Sequence, residues 1–305
     1  MTKKRAVTVL VLILVFISGL YLYRKPVVNI AYMSDSQYVP YVMVSLHSAL
    51  KNKHPDTIYN VHIIAKDFTP EDKIKIKRIE QENVHINIYP AQEHKLNVSR
   101  LGRFGAFEVA LQKLFIAEYL KGVKKVLYLD ADTLVQEDLS DIYQTNITGR
   151  YAAAVKDGLM YQYPEHITEL NLRNKELYFN SGVMLLNLEQ MRKDEIIKKA
   201  VIYFNTHNDI FGDQDVLNVV FAGKVKPVSY RYNCNSVFFE EKEIDFLSAF
   251  WQENIPQTPQ AVYEKAAILH FAGHKPWTDW FNQPYLKPLW WKYAKETQAK
   301  YGIAF

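Results

Sequence analysis

Lys125-Val126-Leu127-Tyr128-Leu129-Asp130-Ala131-Asp132 is a short apolar strand that runs straight into two carboxylates. Strands that are apolar along their whole length belong to sheets covered on both faces. Upstream the same rhythm repeats. The stretch 27–33 reads as a buried strand, 41–52 has helical spacing through Val44, Leu46, Ala49 and Leu50, 61–65 is a short apolar strand, and 84–89 is strand-like again. Between them, Thr69-Pro70-Glu71-Asp72 is a helix start, with a capping hydroxyl, a proline in the first turn and acids on the positive end. The stretch 104–120 is helical in pattern and leads into the strand at 125–129. Strand and helix alternating in this way predict a parallel, doubly wound sheet. Downstream, 151–155 and 178–186 read as strands and 213–221 as a helix. No repeat, low-complexity tract or Gly/Ser linker interrupts the chain, so 27–305 reads as one domain.

Composition narrows the class. The chain has 305 residues, 49% hydrophobic and 23% charged, which excludes disorder and allows a sizeable core. A net charge of +4 is too small for a dedicated nucleic-acid binder, so no nucleic-acid partner is expected. The single cysteine, Cys234, excludes an intramolecular disulfide framework and a multi-cysteine metal knuckle.

The N-terminus reads separately. Residues 1–5 form a basic tail with Lys3, Lys4 and Arg5, and an apolar run over 6–23 is closed by Arg24 and Lys25. The run is just long enough to span a ~30 Å hydrocarbon core, and Ser18-Gly19-Leu20 is a poor cleavage site. A retained transmembrane signal-anchor is therefore expected rather than a cleaved signal peptide. Charge bias puts the tail in the cytosol and the domain across the membrane, as a single-pass type II protein. That means a Golgi or ER lumen in a eukaryote and the inner membrane in a bacterium. Asn97-Val98-Ser99 and Asn146-Ile147-Thr148 are glycosylation acceptors in the luminal case.

Two segments carry the chemistry. In extended chain, residues i and i+2 face one side, so Asp130 and Asp132 can converge on a hard cation beyond the strand end, where open α/β sheets bind ligands. Two acids in a solvated turn would look the same. The second segment is Ile268-Leu269-His270-Phe271-Ala272-Gly273-His274-Lys275-Pro276-Trp277. His270 ends an apolar strand, Gly273 permits close backbone approach, and Lys275 is a point charge suited to phosphate. Taken alone, His270 reads equally as a core histidine and Lys275 as a surface charge. Together with the carboxylates they form the inventory for a metal-bound diphosphate, and mixed oxygen and nitrogen ligands favour Mn²⁺, with other divalent cations as alternatives.

These two segments, with Tyr178-Phe179-Asn180-Ser181-Gly182-Val183-Met184-Leu185-Leu186-Asn187 and Asp213-Gln214-Asp215-Val216-Leu217-Asn218 in order between them, resemble the family 8 glycosyltransferases. The resemblance covers about 28–277. It implies a GT-A type, Rossmann-like nucleotide-sugar-binding domain with a mixed central sheet. It also implies transfer from a UDP-sugar to a saccharide or glycoconjugate acceptor with retention of configuration. On the family pattern, Asp130, Asp132 and His270 ligate Mn²⁺, and Gly273 and Lys275 meet the diphosphate. Asp35 and Tyr38 read the uracil, Ala131 and Asn180 contact the donor, and Asp213 and Gln214 stand at the donor sugar as the catalytic pair. Two positions depart from the pattern. Lys113 stands where the family usually carries an arginine on the nucleotide and sugar, which keeps the charge but loses the bidentate fork. One residue fewer than in many relatives separates Gly273 from Lys275.

An amide is a poor nucleophile. A front-face route, with Gln214 and Asp213 positioning the sugar, is therefore expected over double displacement. Two other classes compete. Leu129-Asp130-Ala131-Asp132-Thr133-Leu134 also resembles the first motif of haloacid-dehalogenase-type phosphatases, with Asp130 as nucleophile, and a catalytically inactive sugar-binding relative would share the same residues. The aromatic tail of Trp280, Phe281, Tyr285, Trp290 and Trp291 reads first as core packing and surface closure.

Overall fold

A computed structural model gives the structure of the protein and describes residues 25–97, 108–158, 160, 163–172, 178–207, 212–235 and 244–305. Strand β1 (Val27–Asp35) leads through a short turn into α1 (Val39–Lys51), then β2 (Ile58–Lys66), α2 (Pro70–Lys77) and β3 (Val84–Pro90). Next come β4 (Lys125–Leu129), β5 (Thr133–Val135), β6 (Ala152–Lys156) and β7 (Phe179–Asn187). The remainder carries α3 (Ile196–Thr206), α4 (Asp213–Val220), β8 (Val225–Pro227), β9 (Ile268–His270) and the C-terminal α5 (Leu286–Tyr301).

Seven strands form one sheet in the order β3-β2-β1-β4-β7-β6-β8, and β5 pairs with β9 in a separate two-stranded ladder. Side chains alternate across the sheet as extended backbone demands. Leu127 and Leu129 pack with Ile30, Tyr32, Val42 and Leu46 beneath α1. Val126 and Tyr128 face the other way, onto Ala31, Met33, Met184, Val216 and Phe221 beneath α3 and α4. A third cluster joins Leu134 of β5 and Leu269 of β9 to Trp251, Phe271, Phe281 and Trp290. Phe281 and Trp290 are thus core residues, whereas Trp280 and Tyr285 are exposed.

Three expectations are corrected. The sheet is mixed, as the family resemblance implies, and not parallel throughout as the alternation alone predicts: β7 pairs antiparallel with both β4 and β6. Its beginning therefore lies at the edge where β4 and β6 end. The stretch 108–119 is not one helix but α-helical turns at Glu108–Leu111 and Ile116–Tyr119 around a tighter 3-10 turn, Gln112–Phe115. All four residues of that turn are buried, which a one-faced amphipathic helix could not achieve, and 104–107 lie outside the described residues. Finally, the single-pass membrane architecture is withdrawn. Among the described residues no helix is long and apolar enough to cross a membrane, and the run 6–23 lies outside them. The longest described helix, α5, has 16 residues and carries Lys287, Lys292, Lys295, Glu296 and Lys300, too short and too charged for a bilayer. The membrane localisation, the membrane contact and the luminal glycosylation drawn from the anchor are withdrawn with it.

The start of α2 folds as its sequence dictates. The Thr69 hydroxyl accepts from the Asp72 backbone N–H (3.1 Å) and the Asp72 carboxylate accepts from the Thr69 N–H (3.0 Å), a reciprocal cap. Thr69→Ala is expected to lower stability by about 1 kcal/mol, read as a lower urea midpoint at unchanged slope. An unshifted midpoint would show the cap to be energetically idle.

Candidate active site

Strand β4 delivers its last residue, Leu129, beside Val183 of β7, and the Asp130 N–H continues the ladder onto the Gly182 carbonyl (2.8 Å). The chain then turns through Asp130-Ala131-Asp132 into β5, where Thr133 pairs with His270 of β9. The Phe271 N–H donates to the Asp132 carbonyl (2.9 Å), fixing the two strand ends together. On its far side β9 is held at Cys234, whose N–H and carbonyl bond Ile268 and His270 (both 2.9 Å). The short β5–β9 ladder is what brings the two carboxylates to the imidazole.

Ligand atoms of Asp130, Asp132 and His270 all lie within 4.8 Å of one another. The His270 Nε2 is 3.4 Å from Asp132 Oδ1 and 3.8 Å from Asp130 Oδ2. Its Nδ1 lies 2.9 Å from Asn233 Oδ1, an acceptor, so Nδ1 carries a hydrogen and Nε2 is the nitrogen that faces the carboxylates. Asn233 is itself oriented by donating to Asn180 Oδ1 (2.9 Å). Two carboxylates and an imidazole whose second nitrogen is pinned make a donor set that fits a divalent cation.

Gly182 makes this packing possible. A Cβ built there would fall 2.1 Å from His270 Cε1, so the imidazole occupies the space that a side chain at this position would need.

Cations hold the acids in place. Lys275 bonds Asp132 Oδ2 and the Phe271 carbonyl (2.9 Å). Burial works against the Asp132 charge, yet Lys275 and His270 keep its carboxyl far below the usual range. Lys113, with its side chain only 2% exposed, reaches Asp213 Oδ2 (2.9 Å) and Asp130 Oδ1 (3.3 Å). Burial opposes its charge as well, but those two carboxylates hold its pKa above the ordinary lysine value. Burial pushes the Asp213 carboxyl up, with Lys113 pulling the other way. Tyr128, projecting from β4, donates to Asp130 Oδ1 (2.5 Å).

The twelve site residues read from the sequence, from Asp35 to Lys275, line one cavity of about 680 Å³. Asp35 accepts from the Tyr38 N–H (3.0 Å) and so caps the turn that carries Tyr38, whose ring meets Tyr41 and Trp277 edge-on. Ala131 lies between the two carboxylates, and Gly273 adopts a left-handed φ of 84° that a side chain would disfavour. Asn180 donates to Asp157 Oδ2 (3.2 Å), and Ser181 Oγ donates to Asp213 Oδ2 (2.9 Å). Gln214 donates through Nε2 to Asp157 (3.1 Å) and accepts the Ser181 N–H at Oε1 (3.0 Å). Asp157, Gly182 and Asn233 were not singled out from the sequence. Asp157 had a signal, an acid directly after strand β6; Asn233 had none.

An α/β domain with a Rossmann-like half, a paired-carboxylate turn and a histidine facing it defines a glycosyltransferase that uses a nucleotide sugar. The chain belongs to glycosyl transferase family 8, whose family model matches residues 29–281. It is 26% identical over 276 residues to general stress protein A of Bacillus subtilis (strain 168), covering 86% of this chain and 91% of that protein. It is 28% identical over 274 residues to a lipopolysaccharide 1,2-glucosyltransferase of Escherichia coli (strain K12), covering 85% and 75%. Among solved structures, the galactosyltransferase LgtC in complex with donor and acceptor sugar analogues matches with a TM-score of 0.72 at 21% identity, over 88% of this chain and 95% of that one. That likeness establishes the GT-A type fold. The phosphatase alternative falls with the family assignment.

Proposed function

We propose that the chain transfers a hexose or pentose from a UDP-sugar to a saccharide or glycoconjugate acceptor with retention of configuration, using Mn²⁺. The observation that carries this reading is the convergence of Asp130, Asp132 and His270, with Lys275 beside them, on one wall of the cavity. Asp35 and Tyr38 take the uracil, while Gly273 and Lys275 take the diphosphate, where the lysine charge favours the departing nucleotide. Held by Asp130, Asp132 and His270, Mn²⁺ would neutralise charge on that leaving group. Asp213 and Gln214 hold the donor sugar. Asp213 is bound to Lys113 and Ser181, and Gln214 is a neutral amide, so neither is an activated nucleophile. This supports a front-face route: the bond from the anomeric carbon to the diphosphate breaks, the acceptor oxygen bonds to the same face, and its proton passes to the leaving phosphate oxygen.

The test uses the full chain, stripped with EDTA, and UDP-glucose, UDP-galactose and UDP-xylose with and without added Mn²⁺. UDP release from one donor, restored by Mn²⁺, is expected, and NMR of the product shows the anomeric configuration of the donor. Silence from all three, with no Mn²⁺-dependent UDP binding by calorimetry, overturns the UDP reading and favours an inactive sugar-binding relative. An inverted product removes the front-face route.

A further inference from the structure

Behind Gln214, outside the cavity wall, three buried side chains form a chain of hydrogen bonds. His166, on the short helix Pro164–Glu169, sets Nε2 3.0 and 2.9 Å from the two carboxylate oxygens of Asp215. The Tyr178 hydroxyl donates to Asp215 Oδ1 (2.5 Å) and lies 3.4 Å from Gln214 Nε2. Asp215 is completely buried, and its carboxyl oxygens meet these two partners there instead of water.

The pattern dictates which way the Gln214 amide points. A carboxylate only accepts, so the one hydroxyl hydrogen of Tyr178 is committed to Asp215 and Tyr178 can only accept from Gln214. Asp157, on the other side, also only accepts. Both neighbours therefore require the NH₂ end, which leaves Oε1 for the Ser181 N–H. The two ends of an amide have nearly the same shape, so packing cannot choose between them and the hydrogen-bond pattern does. A reversed amide would face two acceptors with an oxygen and one N–H donor with an NH₂.

We propose that His166, Asp215 and Tyr178 are positioning residues for the transfer. Through this relay they fix which end of the Gln214 amide is presented at the reacting sugar. The relay rests on the reading of Gln214 given above, and none of its three members lines the cavity. His166 holds Asp215, Asp215 sets the Tyr178 hydroxyl, and the hydroxyl sets the amide.

The experiment uses full-length protein labelled with ¹⁵N-glutamine, in which the Gln214 NH₂ signal is assigned by its loss in Gln214→Glu. Tyr178→Phe deletes only the hydroxyl, His166→Leu removes the donor to Asp215, and His166→Gln keeps an N–H for it. In wild type and His166→Gln the Gln214 NH₂ hydrogens are expected to exchange slowly at one position. In Tyr178→Phe and His166→Leu the signal moves and exchange accelerates. Turnover of the donor falls on the order of tenfold in the same two variants, the effect of one hydrogen bond, with donor KM changed less than about twofold. An unmoved signal in Tyr178→Phe overturns the relay. Equal losses in His166→Gln and His166→Leu, tracking a lowered Tm, overturn the positioning role in favour of a structural one. A moved signal with unchanged turnover upholds the relay and instead removes Gln214 from the reacting sugar.

Discussion

Gly182→Ala is expected to weaken binding of the proposed Mn²⁺ by about 10- to 100-fold and to lower transfer with it, while the sheet stays folded. The added Cβ would sit 2.1, 2.7 and 2.8 Å from His270 Cε1, Nδ1 and Nε2. Real carbon atoms do not approach a ring so closely, so something must move. Gly182 lies inside β7, a strand flanked by β4 and β6, and its carbonyl accepts the Asp130 N–H, so the backbone is the stiffer partner. The imidazole has to swing away, and in doing so it gives up the Asn233 bond that points Nε2 at the carboxylates. Calorimetric titration with Mn²⁺ reads the first effect and UDP release the second. Wild-type affinity in a variant with an unchanged Tm would show that His270 is not a ligand. A collapse of Tm by more than a few degrees would call for Asn233→Ala, which loosens the same ring without the clash.

Asp132→Asn is the second large effect, with turnover down roughly 10³-fold, the loss of several kcal/mol at the transition state. Asparagine keeps the volume and removes the charge, so packing is not the variable. Asp132 faces His270 through one oxygen and Lys275 through the other, and is the one acid of the trio in contact with both. Its replacement strips one of the three proposed metal ligands and leaves the Lys275 ammonium without its counter-charge. UDP binding in the variant is expected to lose its Mn²⁺ dependence. Activity within tenfold of wild type would place the metal or the reaction elsewhere.

What the sequence makes legible depends on how locally each feature is encoded. The strand 125–129 is spelled by its own residues, and β4 has the same bounds. Asp130, Asp132, His270 and Lys275 are legible only together: singly they read as a solvated turn, a core histidine and a surface charge, and their joint inventory is what points to a metal-bound diphosphate. The direction of β7 is not spelled: eight of its nine residues are buried, so both faces read apolar and nothing distinguishes parallel from antiparallel pairing. Strands β5 and β9 have three residues each, too few to show a period. Gly182 and Asn233 act through a neighbour supplied by a distant strand, and no local pattern records that neighbour. The apolar run at 6–23 shows the opposite error: a strong local signal, to which the described residues add no membrane-crossing helix.

The ladder between β5 and β9 also sets when activity can begin. Asp132 and Lys275 stand 143 residues apart in the chain. At ordinary rates of synthesis, on the order of ten seconds passes between their appearance at the ribosome. During that interval the first sheet strands and both acids exist, but the clasp that completes the site does not. A nascent or truncated chain ending before β9 would carry the carboxylate pair and Lys113 but neither His270 nor Lys275, and is expected to be silent towards nucleotide sugars. The site is therefore completed only when β9 and Lys275 are made, more than 130 residues after the acid pair.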